Sequence, residues 1–238
     1  LIAAGVEQGD RVVLLSNTRY EWSLLDFAIW AAGAASVPIY PSSSLSQIQW
    51  IVEDSGAVLA ITESREHSEL VAHLKLQDDG KPALKNSPSQ LRRILEINSS
   101  AIDTLMFEGR ELSNDVVDAR IAATKTDDLA SLVYTSGTTG RPKGCMLTHR
   151  NWLAETLGLL TNPIGGIAVP GNHVLTFLPL AHVLARAVSL AVAMSGASQN
   201  HWSDFSTITI EFQRSRPNLI LGVPRVFEKV RNGAAAKA

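Results

Sequence analysis

Eleven consecutive residues, Tyr134-Thr135-Ser136-Gly137-Thr138-Thr139-Gly140-Arg141-Pro142-Lys143-Gly144, hold four aliphatic hydroxyls, three glycines and one lysine. A polyphosphate needs such an inventory. Several donors must converge on it, and no bulky side chain can stand in the way. Glycines let the backbone come close and adopt positive φ. Consecutive main-chain N–H groups in such a turn form an anion-binding nest. Ser136, Thr138 and Thr139 add hydroxyls, one of which can ligate a magnesium ion, and Lys143 adds a positive charge. The competing reading is an ordinary Gly/Ser/Thr surface turn. Donor density and position weigh against it: the stretch joins two apolar segments, which puts it at a sheet end, where α/β proteins bind ligands. The order of residues excludes a P-loop of the Walker type, because the lysine follows a proline in Gly140-Arg141-Pro142-Lys143-Gly144. No G-x-G-x-x-G is present either.

The other candidates are weaker. His182 follows an apolar run and Pro179, and Arg186 comes one helical turn later, so both are expected on one side of a helix start. They could meet a carboxylate or phosphate, but spacing alone favours a core-facing histidine and a solvated arginine. The lone Cys145 suggests a thioester nucleophile less readily than a packed side chain. His149, after the cap residue Thr148, reads as structural. Arg225 is either a ligand contact or a packing anchor, and Trp202 and Phe205 read as core. His67 and His73 are six apart and do not share a helix face; with no Cys or acidic cluster beside them they read as solvated.

Strands and helices alternate around these residues. Val12–Leu15, Val37–Tyr40 and Ala57–Thr62 are short apolar runs suited to buried strands. Between them, Thr18 with Glu21 and Ser44 with Gln47 fit capping boxes opening two helices, closed by Gly33 and Gly56. Such alternation predicts a parallel sheet covered by helices. A surface helix over Glu63–Leu76, a loop over Gln77–Gln90, a strand at Leu91–Ile97 and a charged, partly helical Ser100–Lys125 follow. Leu129–Thr135 is strand-like and leads into the glycine-rich stretch, and Cys145–Leu147 is a short apolar run after it. Thr148 is the expected N-cap of a helix with Trp152, Leu153, Thr156, Leu157 and Leu160 on one side. A strand at Val174–Leu178, a helix at Ala181–Met194, a strand at Leu219–Val223 and a helix at Pro224–Lys237 complete the pattern. The fold class is therefore α/β, with layered, parallel-rich sheets flanked by helices. A first portion over about 1–128 and a second over about 129–238 are expected.

The 238 residues suffice for one large domain or two small ones. A net charge of −2 gives no reason to expect nucleic acid or an anionic membrane. A single cysteine allows no intramolecular disulfide, and a reducing, cytoplasmic setting is the simplest reading. The longest apolar candidates, Trp22–Ala35 and Ala187–Ala197, fall short of the roughly 20 residues of a spanning helix. The sequence starts at Leu1 rather than Met and stops within a helical pattern, as expected for a piece of a longer protein.

The full stretch Tyr134–Gly144 resembles the signature loop of the adenylate-forming enzymes, which include acyl-CoA synthetases, luciferases and the adenylation domains of peptide synthetases. Leu178-Pro179-Leu180-Ala181-His182-Val183 resembles that superfamily's second motif in its long-chain acyl-CoA synthetase form, and Pro217–Val230 the segment after it. Val12–Tyr40 resembles the early strand–helix–strand region. The resemblance spans the chain and is nearest to bacterial long-chain fatty-acid–CoA ligases. It implies an incomplete N-terminal AMP-binding domain without its C-terminal domain. It implies ATP, Mg²⁺ and coenzyme A, with a fatty acid activated to acyl-AMP and then to acyl-CoA. It assigns Thr135, Ser136, Gly137, Thr138, Thr139, Gly140 and Lys143 to the triphosphate, Thr138 to the metal, and His182 to the acyl carboxylate or adenylate. In some relatives an aromatic residue four positions after that histidine gates the fatty-acid tunnel; Arg186 stands there, so the gate does not carry over. The aromatic-Gly-x-Thr-Glu segment, ribose aspartate, hinge and late lysine of the family do not occur before Ala238, so these 238 residues alone are expected to be inactive. Two alternatives stay open: a ligase using a carrier protein or another acid, and a non-catalytic nucleotide-binding module. Peripheral membrane association would suit a fatty-acid enzyme, although no amphipathic basic helix argues for it.

Overall fold

The structure is a computed structural model, describing residues 1–72, 90–135, 141–224, 226–228 and 231. It divides into two compact units, residues 1–17 with 21–152, and residues 18–20 with 153–238.

The first unit is built on β1 (Arg11–Leu15), α1 (Tyr20–Ala31), β2 (Ala35–Ile39), α2 (Leu45–Ser55), β3 (Leu59–Thr62), α3 (Arg65–Ala72), β4 (Arg93–Glu96), α4 (Ala101–Gly109), α5 (Asn114–Ala123), β5 (Leu129–Thr135) and β6 (Lys143–Thr148). The sheet order is β4-β3-β1-β2-β5-β6, parallel throughout except for the antiparallel β5–β6 pair. Central β1 and β2 are apolar runs rather than alternating patterns because helices cover both faces of such a sheet. Val13, Leu15, Val37 and Ile39 pack with Ile48, Ile51 and Val52 of α2 in one buried cluster.

Helix α2 is fixed at both ends. At its start, the Ser44 hydroxyl accepts from the Gln47 N–H (3.3 Å) while the Gln47 side chain accepts from the Ser44 N–H (2.9 Å), as the capping box predicts. At its end, Gly56 is left-handed (φ +60°), and the Arg11 guanidinium donates to the carbonyls of Ser55 (2.7 Å) and Gly56 (2.9 Å). These carbonyls are among those a helix leaves without internal partners, and a cation there also suits the helix dipole. A Cβ on Gly56 would stand 2.7 Å from the Arg11 guanidinium.

Along β5 the sheet contact is uneven. Its register with β2 is confined to Ser36↔Ser131; two residues later β2 carries Pro38, which has no N–H to donate. The full length of β5 is paired instead with β6, from Leu129↔Thr148 to Thr135↔Lys143.

The helix α6 (His149–Thr161) begins in the first unit and runs into the second, which adds β7 (His173–Thr176), α7 (Val183–Ser195), β8 (Ser198–His201), α8 (Ile208–Ser215) and β9 (Leu219–Ile220), with Pro224 and Val226–Glu228 also helical. The sheet order is β8-β7-β9, all parallel. Leu175, Phe177, Ile208 and Val226 form its buried cluster.

Several expectations need correction. The division falls between Trp152 and Leu153 rather than near 128, because β5 and β6 belong to the first sheet. Helix α1 starts at Tyr20, which makes Arg19 its flanking residue; the Thr18 hydroxyl donates to the Leu178 carbonyl (2.8 Å). Strand β8 and helix α8 were not anticipated: Ser198-Gln199-Asn200-His201 is polar, and no apolar periodicity announces it as a strand. On α6, Trp152 and Thr156 are buried, but Leu153 and Leu157 are 42% and 51% exposed. The predicted loop over Gln77–Gln90 lies outside the described residues except for Gln90, as does His73.

Candidate functional site

The glycine-rich stretch includes the end of β5 and the start of β6, which pair antiparallel. Thr135 and Lys143 face each other as the last registered pair, and both are exposed. The hairpin thus brings one predicted hydroxyl and the predicted cation to the same end. Ser136, Gly137, Thr138, Thr139 and Gly140 lie outside the described residues.

What holds this end of the hairpin is α2. The Trp50 indole Nε1 donates to the Pro142 carbonyl (2.8 Å), and the Arg141 guanidinium lies 4.6 Å from the centroid of the Trp50 ring. One turn further along α2, the Asp54 carboxylate accepts from the Tyr134 hydroxyl (2.7 Å). The Tyr134 ring lies against Gly144: a Cβ at Gly144 would be 3.0 Å from Tyr134 Cζ. Here glycine is required by close approach rather than by φ. Burial, and then the hydrogen bond and charge of Asp54, push the Tyr134 phenol well above the usual tyrosine range. Burial likewise raises the Glu53 carboxyl, opposed by the Arg141 charge.

The other end of β5 is set by different contacts. The Trp30 indole donates to the Ala130 carbonyl (2.8 Å), and Ser36 Oγ and Ser131 Oγ are 3.1 Å apart within the sheet. His149 packs edge-on against Trp30 at 5.5 Å, in keeping with its structural reading. Thr148 and Asn151 exchange bonds in a capping box: the Asn151 N–H donates to Thr148 Oγ1 (3.3 Å) and the Thr148 N–H to Asn151 Oδ1 (2.9 Å). Cys145 is exposed on β6, not packed.

In the second unit, both spacing-based expectations about His182 and Arg186 are reversed. His182 is exposed, while Arg186 is 1% exposed. Helix α7 starts one residue after His182, which therefore acts as its N-cap: Nδ1 accepts from the Leu184 N–H (3.2 Å). That bond requires an unprotonated Nδ1, so the neutral ring carries its proton on Nε2. The cap fixes the tautomer and leaves Nε2–H as a donor. Arg186, one turn in, falls on the buried face with Ala185, Ser189 and Leu190. Beside α7 lies an apolar pocket of about 210 Å³, lined by Leu160, Ala168, Leu184, Val188, Leu219 and Ile220 among others.

His67 is half-buried on α3, not solvated as expected. Among the described residues no three His, Cys, Asp or Glu side chains gather as a metal site. Arg225 lies outside the described residues. Sequence reasoning missed Trp50 and Asp54. Their signal was available in their spacing, four apart on a helix whose cap had been recognised, but nothing in the chain says which strand that face meets.

All 238 residues match the family model for AMP-binding enzymes. The chain belongs to that family. The long-chain-fatty-acid–CoA ligase FadD15 of Mycobacterium tuberculosis is 43% identical over 242 aligned residues, covering 100% of this chain and 38% of that protein. The rat long-chain-fatty-acid–CoA ligase ACSBG2 is 28% identical over 241 residues, covering 98% of this chain and 36% of that one. This chain thus spans under two fifths of the length of these curated relatives. The inhibitor-bound crystal structure of the N-terminal domain of FACL13 from Mycobacterium tuberculosis matches with a TM-score of 0.77 at 24% identity, over 97% of this chain and 54% of that one. That likeness agrees with the layered α/β fold expected from the sequence. Among the described residues, no helix is long and apolar enough to cross a membrane.

Proposed function

We propose that the protein to which these residues belong activates a long-chain fatty acid, first to acyl-AMP and then to acyl-CoA. One observation carries the reading: Thr135 and Lys143 of the signature stretch face each other across the β5–β6 pair, in a chain 43% identical along its whole length to a long-chain-fatty-acid–CoA ligase. In the first step a carboxylate oxygen bonds to the α-phosphorus of ATP, and the bond to the β-phosphate oxygen breaks, releasing pyrophosphate. In the second, the sulfur of coenzyme A bonds to the acyl carbon and AMP departs. The carboxylate is already ionised at neutral pH, so catalysis rests on positioning and on stabilising charge at the phosphates. Lys143 supplies positive charge to the triphosphate, with Thr135, Ser136, Gly137, Thr138, Thr139 and Gly140 as donors. His182 offers Nε2–H to the carboxylate or adenylate. The apolar pocket beside α7 supports a hydrocarbon tail over a polar acid.

Magnesium fits as a nucleotide-borne ion. With no carboxylate or histidine cluster among the described residues, its ligands would be phosphate oxygens and a hydroxyl, for which Thr138 is the choice. Bound there, it would neutralise developing phosphate charge. A cytoplasmic setting, with peripheral contact to a membrane, would suit the substrate.

ATP–pyrophosphate exchange on the full-length protein tests the reading. Exchange dependent on a long-chain fatty acid supports it, followed by acyl-thioester formation only with coenzyme A. Exchange with aryl acids alone, or acyl transfer to a carrier protein without coenzyme A, would replace it. The isolated 238 residues are expected to give no exchange.

A further inference from the structure

Lys143 stands between two anchored neighbours. On one side the Pro142 carbonyl is held by the Trp50 indole at 2.8 Å, with Arg141 stacked over the same ring. On the other, Gly144 is backed by the Tyr134 ring, whose hydroxyl is held by Asp54 at 2.7 Å. Trp50 and Asp54 are one turn apart on α2 and so share a face. Helix α2 is itself fixed by its capping box and by Arg11. The register of β5 with β2 is confined to Ser36↔Ser131, while Tyr134 and Trp50 pack in the buried cluster that β2 and α2 share. We infer that Trp50 and Asp54 of α2 are positioning residues for nucleotide binding: they fix the backbone on either side of Lys143, and so aim its ammonium at the triphosphate. This rests on the nucleotide reading of the hairpin and adds a function for α2. Tyr134 and Trp50 also make apolar contact in the buried cluster, and their polar tips need partners there; what matters is where those partners lie. Here two directed polar bonds converge on the residues flanking the cation.

The test uses the full-length protein, with the dissociation constant for Mg·ATP measured by equilibrium dialysis and the melting temperature measured in parallel. Trp50→Phe keeps a ring beneath Arg141 but removes the donor. Asp54→Ala removes the acceptor for Tyr134, and Asp54→Asn restores one. Trp30→Phe is the matched control, since it deletes an equal indole–carbonyl bond at the far end of the same strand. Trp50→Phe and Asp54→Ala should each weaken ATP binding about fivefold to tenfold, Asp54→Asn should recover most of it, and Trp30→Phe should lower only the melting temperature. The inference is overturned if Trp50→Phe and Asp54→Ala bind ATP like the parent, or if Trp30→Phe weakens binding equally. It is also overturned if the parent binds no ATP. Parent and variants are also assayed for fatty-acid-dependent exchange. Graded ATP affinities without any such exchange would sink the ligase reading while leaving the positioning role standing.

Discussion

The two ends of β5 are held by bonds of the same kind that do different work. Near its start the Trp30 indole donates to the Ala130 carbonyl at 2.8 Å; beyond its end the Trp50 indole donates to the Pro142 carbonyl at the same distance. The first bond lies among Phe27, His149 and Trp152, next to the strand's registered pair with β2. The second lies beyond that register, where the hairpin partner and helix α2 hold the chain. One bond joins a strand to a frame that other contacts already define. The other fixes the residue that precedes Lys143. By the inference above, the first bond is dispensable for nucleotide binding and the second is not.

The largest effect expected from breaking this contrast is at the frame. Trp30→Ala removes a half-buried aromatic side chain together with its hydrogen bond, and should cost about 3 kcal/mol of stability. Urea unfolding followed by circular dichroism would show it, while ATP affinity of the molecules still folded should match the parent. A parallel loss of affinity would mean that the two ends of β5 are not independent. At the other end the order reverses. Lys143→Ala should leave the unfolding midpoint in place and weaken Mg·ATP binding by about 2 kcal/mol, the scale of a lost hydrogen bond to a charged group, or roughly thirtyfold. Calorimetric titration on the full-length protein would measure it, and unchanged affinity would remove Lys143 from the triphosphate.

A smaller and more diagnostic effect is expected at Gly144. A methyl group there meets the Tyr134 ring at 3.0 Å, so the ring must give by a few tenths of an ångström, which would strain its bond to Asp54. Gly144→Ala should cost about 1 kcal/mol, read as a lowered urea midpoint. It should also return the Tyr134 titration toward the ordinary tyrosine range, seen in tyrosinate absorbance. The sign of the pH dependence is fixed by the raised phenol. A group whose folded pKa is raised contributes its stability in full below the unfolded value, near 10 for tyrosine, and loses it as pH rises towards the folded value. The stability gap between parent and Tyr134→Phe should therefore be constant up to about pH 10 and narrow above it. A gap that narrowed already below pH 9 would contradict the buried, Asp54-bonded phenol.

These contrasts also mark what the residue pattern could and could not reveal. The runs at Val12–Leu15 and Ala57–Thr62, the Ser44–Gln47 cap and Gly56 were legible because each obeys a local rule of periodicity, capping or backbone handedness. The proposed phosphate role of the eleven-residue stretch was legible for the same reason, since its donors are adjacent in the chain. Its support was not. Trp50 and Pro142 are 92 residues apart, and Tyr134 and Asp54 are 80 apart; only the sheet order brings α2 to that edge. The division of the chain near 128 failed on the same ground, because a strand's allegiance is decided by its partners rather than by its composition. Arg186 shows the limit of charge as a guide, since its place on the helix outweighs its charge.

His182 sharpens the comparison on a single side chain, because one ring nitrogen serves the helix cap and the other is left as a donor. His182→Ala deletes both and should cost about 1 kcal/mol through the lost cap, along with any part the other nitrogen has in the reaction. His182→Asn separates them. Asparagine is among the best N-caps, and its side-chain oxygen can accept from the Leu184 N–H as Nδ1 does. Stability should therefore return to the parent's, while the shorter side chain cannot carry an N–H donor to where Nε2 stands. In full-length protein, His182→Asn should melt with the parent and show a lowered rate of fatty-acid-dependent exchange with unchanged ATP affinity. If exchange recovers along with stability, the histidine is there for its cap alone and the carboxylate is oriented by another group. If neither recovers, the ring itself is packed in a way that the Nδ1 bond does not describe.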